Sequence, residues 1–246
     1  MLAVPGSAAA DVEGIGPLVA STAELSCPGV EVLVGYLEGP ESALSDCLVA
    51  ADPGSAGQEQ FPSVIVPLLL SPSVRFDGAI RQAADQSAIP AVLASHLGPH
   101  PLVAEALHAR LAEAGLSRYS RASGISLTAE GQGIVVLADA GEDATSAAAV
   151  AAVLLASRLS VPVLPASLGD PQSIVTAVER LSQTGVQRPV LAPCLIGPET
   201  SIEVLSDLSA ALRAPCAPTL GAHQAVGQLV AVRYGAALAG LSVATG

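Results

Sequence analysis

The sequence predicts an α/β protein made of two similar domains, each with a mostly parallel sheet of four strands. Residues 97–110 and 220–233 share Leu, Gly, His, Val and Arg at a constant offset of 123. A repeat half as long as the chain indicates a duplicated domain, because solenoid repeats run only to roughly 20–50 residues. Two similar halves commonly face each other across a cleft that binds small molecules, and we expect such a cleft here.

Apolar runs separated by turn residues predict the strands. They are apolar throughout rather than alternating, as in parallel sheets that are buried on both faces. The first half has such runs at residues 2–4, 30–37, 63–70 and 88–94, and the second at 134–138, 161–166, 189–196 and 216–220.

A helical pattern follows each predicted strand. Alternating strands and helices favour a sheet connected by right-handed crossovers. The expected helices cover residues 11–24, 42–50, 77–86 and 101–114, then 144–159, 172–184, 199–212 and 225–239. The domains are therefore predicted at 1–117 and 134–246, joined by a Ser- and Gly-rich linker at 118–133.

Composition excludes several classes of function. The net charge is −12 and all ten basic residues are Arg, so we expect no basic face for nucleic acid, no Lys Schiff base and no Walker-type phosphate loop. No apolar run approaches the roughly 18 residues of a membrane span, so no membrane partner is expected. The four Cys form no Cys-x-x-Cys pair and no secretory signal is visible, which predicts a cytoplasmic protein with reduced thiols.

In parallel α/β domains, ligands bind beyond the carboxyl ends of the strands. Pro5-Gly6-Ser7 follows the first strand; it is either an ordinary turn or a site where backbone and a helix N-terminus meet an anion. Glu38 follows the second strand, where it could ligate a cation, accept a proton, or cap the next helix together with Ser42.

The four histidines are not equivalent. His100 and His223 occupy the same place in the repeat, so they are either two ligands or bases in the cleft, or helix-start caps that were duplicated with the fold. His96 and His108 are interpreted as incidental surface or core residues. The His96-x-x-x-His100 spacing is not taken as a pair of ligands on a helix face, because Gly98 and Pro99 make this stretch a turn.

Several segments together resemble a known family. They are residues 66–71, Val74-Arg75-x-Asp77, residues 97–102 and 220–223, and residues 34–38 ending in Glu38. In this order the chain resembles the sirohydrochlorin chelatases, the class II chelatases of siroheme and cobalamin biosynthesis, in their long two-half form. The resemblance implies two tandem flavodoxin-like domains with a tetrapyrrole in the cleft. It also implies insertion of Fe²⁺ or Co²⁺ as a substrate, with release of two protons and with no permanently bound cofactor.

The chain departs from the family where metal would bind. Pro5 and Ser73 stand at the two positions where the family has metal-binding His, and the matching second-half loops at 140–142 and 197–199 offer no replacement His. Glu38 matches the family's carboxylate, so the resemblance assigns it the catalytic and metal-binding roles. The resemblance assigns substrate binding to Pro5, Gly6, Ser7, Ser71, Ser73 and Arg75.

Three hypotheses follow. The protein is a chelatase with altered ligands, a non-catalytic homologue that binds a tetrapyrrole or a partner protein, or another small-molecule enzyme on the same scaffold. Because a duplicated chain can form alone what a half-length relative forms as a dimer, either a monomer or a homodimer is expected.

Overall fold

Strands and helices alternate along the chain in the computed structural model, which describes residues 1–50, 63–87, 90–116 and 132–244. The first half contains β1 (Leu2–Val4), α1 (Ile15–Ser26), β2 (Val34–Tyr36), α2 (Leu44–Ala50), β3 (Ser63–Pro67), α3 (Val74–Asp85), β4 (Ala91–Leu93) and α4 (Pro101–Glu113). The second half contains β5 (Gln132–Ala138), α5 (Glu142–Leu159), β6 (Val163–Ser167), α6 (Pro171–Gln183), β7 (Arg188–Pro193), α7 (Ile202–Leu212) and α8 (Gln224–Ala244). The predicted linker lies outside the described residues, except that Gln132 and Gly133 begin β5.

Two parallel sheets confirm the predicted fold class. The first has strand order β2-β1-β3-β4 and the second β6-β5-β7, and all their pairings are parallel. The second sheet differs from the expectation of four strands, because residues 216–220 contribute one isolated bridge, between Cys216 and Leu191. Pro215 precedes this segment and Pro218 lies within it; without N–H groups they cannot continue a ladder of hydrogen bonds.

Each sheet has its own apolar core, as the continuous apolar strands predict. Around the first sheet, Leu48, Ile65 and Ile80 are almost fully buried. Gly35 lets α2 lie close on β2, since a Cβ there would be 2.7 Å from the Leu44 Cα. The second core includes Val135, Leu137, Ile174, Leu181, Leu191 and Leu205.

The compact units do not follow chain order. The first unit comprises Met1–Leu97 with Ala222–Gly246, and the second comprises Gly98–Gly221. This differs from the predicted division at 117 and 134, in which each half keeps its own last helix. In the first unit α8 packs on α1 and β3, and in the second α4 packs on α5 and β7.

Two arginines of the repeat accompany this exchange of helices. Within the first unit, Arg233 of α8 donates to the Leu97 carbonyl over 2.9 Å. Within the second, Arg110 of α4 donates to the Leu220 carbonyl from Nε over 3.0 Å and from Nη2 over 2.7 Å. Each repeat's Arg therefore anchors its helix to the Leu that opens the other repeat.

Two further features bear on the sequence predictions. No helix in the described ranges is long and apolar enough to cross a bilayer. All four cysteines are free thiols, and burial raises the pKa of Cys194 to about 12.

Candidate functional site

The loops that follow the strands of the first sheet meet at one edge, which we call the first carboxyl edge. It consists of residues 5–7 after β1, Glu38 after β2, residues 71–75 from the loop after β3 into the first turn of α3, and His96 after β4. The Glu38 N–H donates to the Gly6 carbonyl over 2.9 Å, so the first two loops are in contact. The parallel sheet thus places every residue of the predicted site at this edge.

Glu38 forms a bidentate ion pair with Arg75. Arg75 Nη2 lies 2.8 Å from Glu38 Oε1 and 3.1 Å from Oε2, and Nε lies 3.0 Å from Oε1. The pair is exposed, at 62% for the Arg75 side chain and 42% for Glu38, and exposed pairs contribute only about 0–1 kcal/mol. The carboxylate therefore faces a guanidinium rather than the next helix, in a contact that a ligand can exchange.

The turn after β1 is held by its own chain. Gly6 has φ 76°, a conformation that favours glycine, and the Ser7 carbonyl accepts the N–H of Asp11. Asp11 then accepts the N–H groups of Ile15 over 2.7 Å and Gly16 over 2.9 Å. Because this buried carboxylate already occupies the N-terminus of α1, no anion site is formed there. The geometry therefore supports the interpretation of Pro5-Gly6-Ser7 as an ordinary turn.

The positions expected to carry metal ligands have no nitrogen donor. Pro5 is buried, and Ser73 is half-buried at the start of α3 with the also half-buried Ser71 just before it. Among the described residues, no three side chains of His, Cys, Asp or Glu are grouped so as to hold a metal ion. A metal handled at this edge would need further ligands from its substrate.

His96 is not incidental, contrary to the sequence interpretation. Its Nε2 lies 3.0 Å from Asp77 Oδ1, and both side chains are largely buried, at 19% and 14% exposure. Asp77 Oδ2 accepts the Ser73 N–H over 3.3 Å. Asp77 already belonged to the motif behind the resemblance, but its pairing with a residue on another loop is a tertiary contact without a sequence signal.

The second sheet has an equivalent edge with two carboxylates, of which Glu199 lies in a loop matched by the sequence alignment and Asp139 does not. Ala3 pairs with Pro67 in the first sheet, and Leu137 with Pro193 in the second. Counting along the chain from these pairs, Asp139 corresponds to Pro5 and Glu199 to Ser73. The alignment had been one residue off at the first of these loops, which hid Asp139.

Glu199 accepts hydrogen bonds from the backbone and lies in a desolvated environment. Its two oxygens accept the N–H groups of Ile196 over 2.5 Å and Gly197 over 2.7 Å. Burial raises the pKa of Glu199 to about 7, although these hydrogen bonds lower it, and the nearby Asp139 charge raises it further. This carboxyl group therefore exchanges a proton near neutral pH.

The repeated histidines are helix-start caps. His100 Nδ1 accepts the Leu102 N–H and His223 Nδ1 accepts the Ala225 N–H, both over 3.2 Å. The duplicated Leu-Gly-x-His segment is thus a turn that begins α4 and α8.

The comparisons with known proteins agree with this geometry. Residues 12–114 match the CbiX family model. A solved structure titled SirB from Bacillus subtilis with Fe³⁺ has 17% identity and a TM-score of 0.68, covering 98% of this chain and 96% of that one. The sirohydrochlorin chelatase SirB from Bacillus subtilis subspecies spizizenii in complex with cobalt has 16% identity and a TM-score of 0.62, covering 94% and 92%. No curated protein sequence gives a significant match.

At this identity the structural likeness establishes the fold, and the family-model match is confined to residues 12–114. The residues matched by the model include every loop of the first carboxyl edge except residues 5–7. Residues 12–114 therefore match the CbiX family, and the chain has the fold of SirB over nearly its whole length.

Proposed function

We propose that the protein binds a sirohydrochlorin-type tetrapyrrole at the first carboxyl edge and inserts Fe²⁺ or Co²⁺ into it, releasing two protons. The family match supports this proposal, as do the two similar structures, which are of SirB with Fe³⁺ and of SirB in complex with cobalt. The observation that carries it is the bidentate contact of Glu38 with Arg75, at the place where the resemblance puts the family's carboxylate.

This ion pair suits an exchange of partners. A sirohydrochlorin-type substrate carries carboxylate side chains, and Arg75 is an exposed guanidinium able to bind a carboxylate bidentately. Since an exposed pair is worth only about 0–1 kcal/mol, a substrate carboxylate can take Arg75 from Glu38. Glu38 is then free to hold the incoming divalent cation or to accept a proton.

The tetrapyrrole itself supplies the remaining metal ligands. The described residues hold no group of three His, Cys, Asp or Glu side chains suited to a metal, so the cation is passed to the ring rather than stored. A weak protein site favours transfer, because a tightly held metal ion would have to be released first.

A non-catalytic homologue is the second candidate, and one observation favours it. Neither Pro5 nor Ser73 offers a nitrogen to a metal, and Glu38 is occupied by Arg75. Such a protein would bind the tetrapyrrole, or a partner protein, without inserting metal. We further propose a cytosolic setting, with which the four free thiols agree.

The two candidates differ in metal insertion and share tetrapyrrole binding. Purified protein is mixed with sirohydrochlorin, and binding is followed by the tetrapyrrole absorption; Co²⁺ or Fe²⁺ is then added and insertion is followed by the same signal. The chelatase proposal expects insertion faster than the uncatalysed rate. Binding without acceleration identifies the non-catalytic homologue, and the absence of binding contradicts both.

Matched variants test the partner exchange. Arg75→Ala is expected to weaken tetrapyrrole binding, while Arg81→Ala, on the exposed side of the same helix, leaves it unchanged. Glu38→Gln is expected to slow insertion with little change in binding, and the exposed Glu41→Gln serves as its control. Equal behaviour of each variant and its control would exclude a role for this ion pair.

A further inference from the structure

His96 is fixed in place by the chain on both sides. One residue after β4 the Ala94 N–H donates to the Ile65 carbonyl over 2.8 Å. Immediately after His96, the fully buried Leu97 donates its N–H to Leu69 and accepts the Arg233 guanidinium. The imidazole therefore projects from a short backbone segment that is anchored at both ends, next to the first carboxyl edge.

Asp77 is equally fixed. It lies in the first turn of α3, where its N–H donates to the Ser73 carbonyl over 2.9 Å. Its Oδ2 accepts the Ser73 N–H, which leaves Oδ1 directed at His96 Nε2. A carboxylate held at both oxygens sets the orientation of the imidazole.

The contact also sets which ring nitrogen carries the proton. A carboxylate accepts hydrogen bonds, so Nε2 is the nitrogen that carries the proton in the neutral imidazole, and in that form Nδ1 keeps its lone pair. Within the described ranges no side chain or backbone group bonds to Nδ1 of His96. The same carboxylate–histidine arrangement orients imidazoles that take up protons or metals in other proteins.

We propose that His96 is the proton acceptor for the pyrrole N–H groups of the substrate, with Asp77 as its positioning residue. This inference rests on the proposed chelatase function. The proposed base lies neither at Pro5 nor at Ser73, the two positions where the family has His. It is a histidine outside the family's motif. Ser73 stays near the chemistry by holding Asp77.

The proton transfers balance without a co-reactant. One pyrrole N–H bond breaks and an Nδ1–H bond forms, and the electron pair left on the pyrrole nitrogen becomes a metal–nitrogen bond. The imidazolium releases its proton to water, and His96 accepts the second pyrrole proton in the same way. The divalent cation enters and two protons leave, with no change of oxidation state.

Substitution of His96 tests the proposal in the full-length protein. General-base catalysis typically contributes roughly 10²–10⁴-fold, so His96→Ala is expected to lower the kcat of insertion by roughly 100-fold or more, with tetrapyrrole affinity retained. Added imidazole is expected to restore part of the rate. His108→Ala, the control on α4, is expected to insert metal like the wild type.

The Asp77→Asn variant distinguishes a role of Asp77 in positioning the His96 imidazole from a role in folding. We expect kcat to fall while the tetrapyrrole Kd stays unchanged, and circular dichroism to match the wild type. Nitrogen NMR of the imidazole provides a readout without metal, since the wild type should show an Nε2–H tautomer for His96 and Asp77→Asn a mixture.

The outcomes distinguish this inference from the function on which it rests. A wild type that inserts metal while His96→Ala inserts it equally fast would overturn the role of His96 and leave the chelatase function standing. A wild type without accelerated insertion contradicts both. Loss of activity in His96→Ala without rescue by imidazole, together with an unchanged NMR tautomer in Asp77→Asn, would also overturn the inference.

Discussion

The two repeat arginines allow a quantitative test of how α4 and α8 are anchored. Arg110 makes two hydrogen bonds to the Leu220 carbonyl, whereas Arg233 makes one to the Leu97 carbonyl. The Nε of Arg233 is buried and has no partner among the described residues. Both acceptor residues are fully buried, so losing the donors leaves carbonyls unsatisfied. Replacement by Met keeps most of the side-chain stem and removes only the guanidinium.

The magnitudes follow from the number of bonds. A hydrogen bond with a charged partner contributes about 1.5–3 kcal/mol, and the two Arg110 bonds share one acceptor, so we expect Arg110→Met to cost about 3 kcal/mol. Arg233→Met is expected to cost about half as much, because it removes one bond and also a buried donor that had no acceptor. For a chain of this size, 1 kcal/mol lowers Tm by about 2–4 °C, which gives a decrease of about 6–12 °C for Arg110→Met.

Calorimetry and urea unfolding of the two variants measure these costs. Arg81→Met, which replaces an exposed arginine on α3, is the control and should leave Tm near the wild-type value. If Arg233→Met lowers Tm as much as Arg110→Met, or if neither differs from the control, the hydrogen bonds to the two leucine carbonyls do not anchor these helices.

Two further predictions concern packing and protonation. Gly227→Ala should destabilise the folded protein by about 1–3 kcal/mol through overpacking, since the new Cβ would lie 2.5 Å from Thr22. On the same helix, the new Cβ of Gly235→Ala meets no atom within 4 Å, so this variant should stabilise the folded protein by about 0.5–1 kcal/mol. Urea unfolding measures both changes. Burial raises the pKa of Glu199 from 4.5 to about 7, so the folded protein holds a proton that unfolding releases in this interval, and the unfolding free energy should fall as pH rises through it. Glu199→Gln should flatten this dependence between about pH 5 and about pH 8, whereas the exposed Glu203→Gln should keep it; equal slopes in both variants would contradict a proton held by Glu199.

Much of the candidate site followed from the order of strands and loops. Because carboxyl ends of parallel strands share one edge, Gly6, Glu38 and Arg75 could be placed together from sequence. Their contacts could not be derived: Glu38 was expected to meet a metal, a proton or the next helix, and it meets Arg75. Which group an exposed carboxylate contacts depends on how far side chains extend across the sheet edge. The spacing of residues along the sequence does not give this distance.

Local physics explains what the sequence determined by itself. Buried parallel strands need continuous apolar runs and surface helices need a 3.6-residue pattern, so the α/β class and the order of most elements were readable from the chain. The tertiary structure decided the exchange of α4 and α8 between compact units, the pairing of His96 with Asp77, and the correspondence of Asp139 with Pro5. Each of these depends on contacts between residues far apart in sequence or on strand register, and those are fixed only when the sheets and helices have packed.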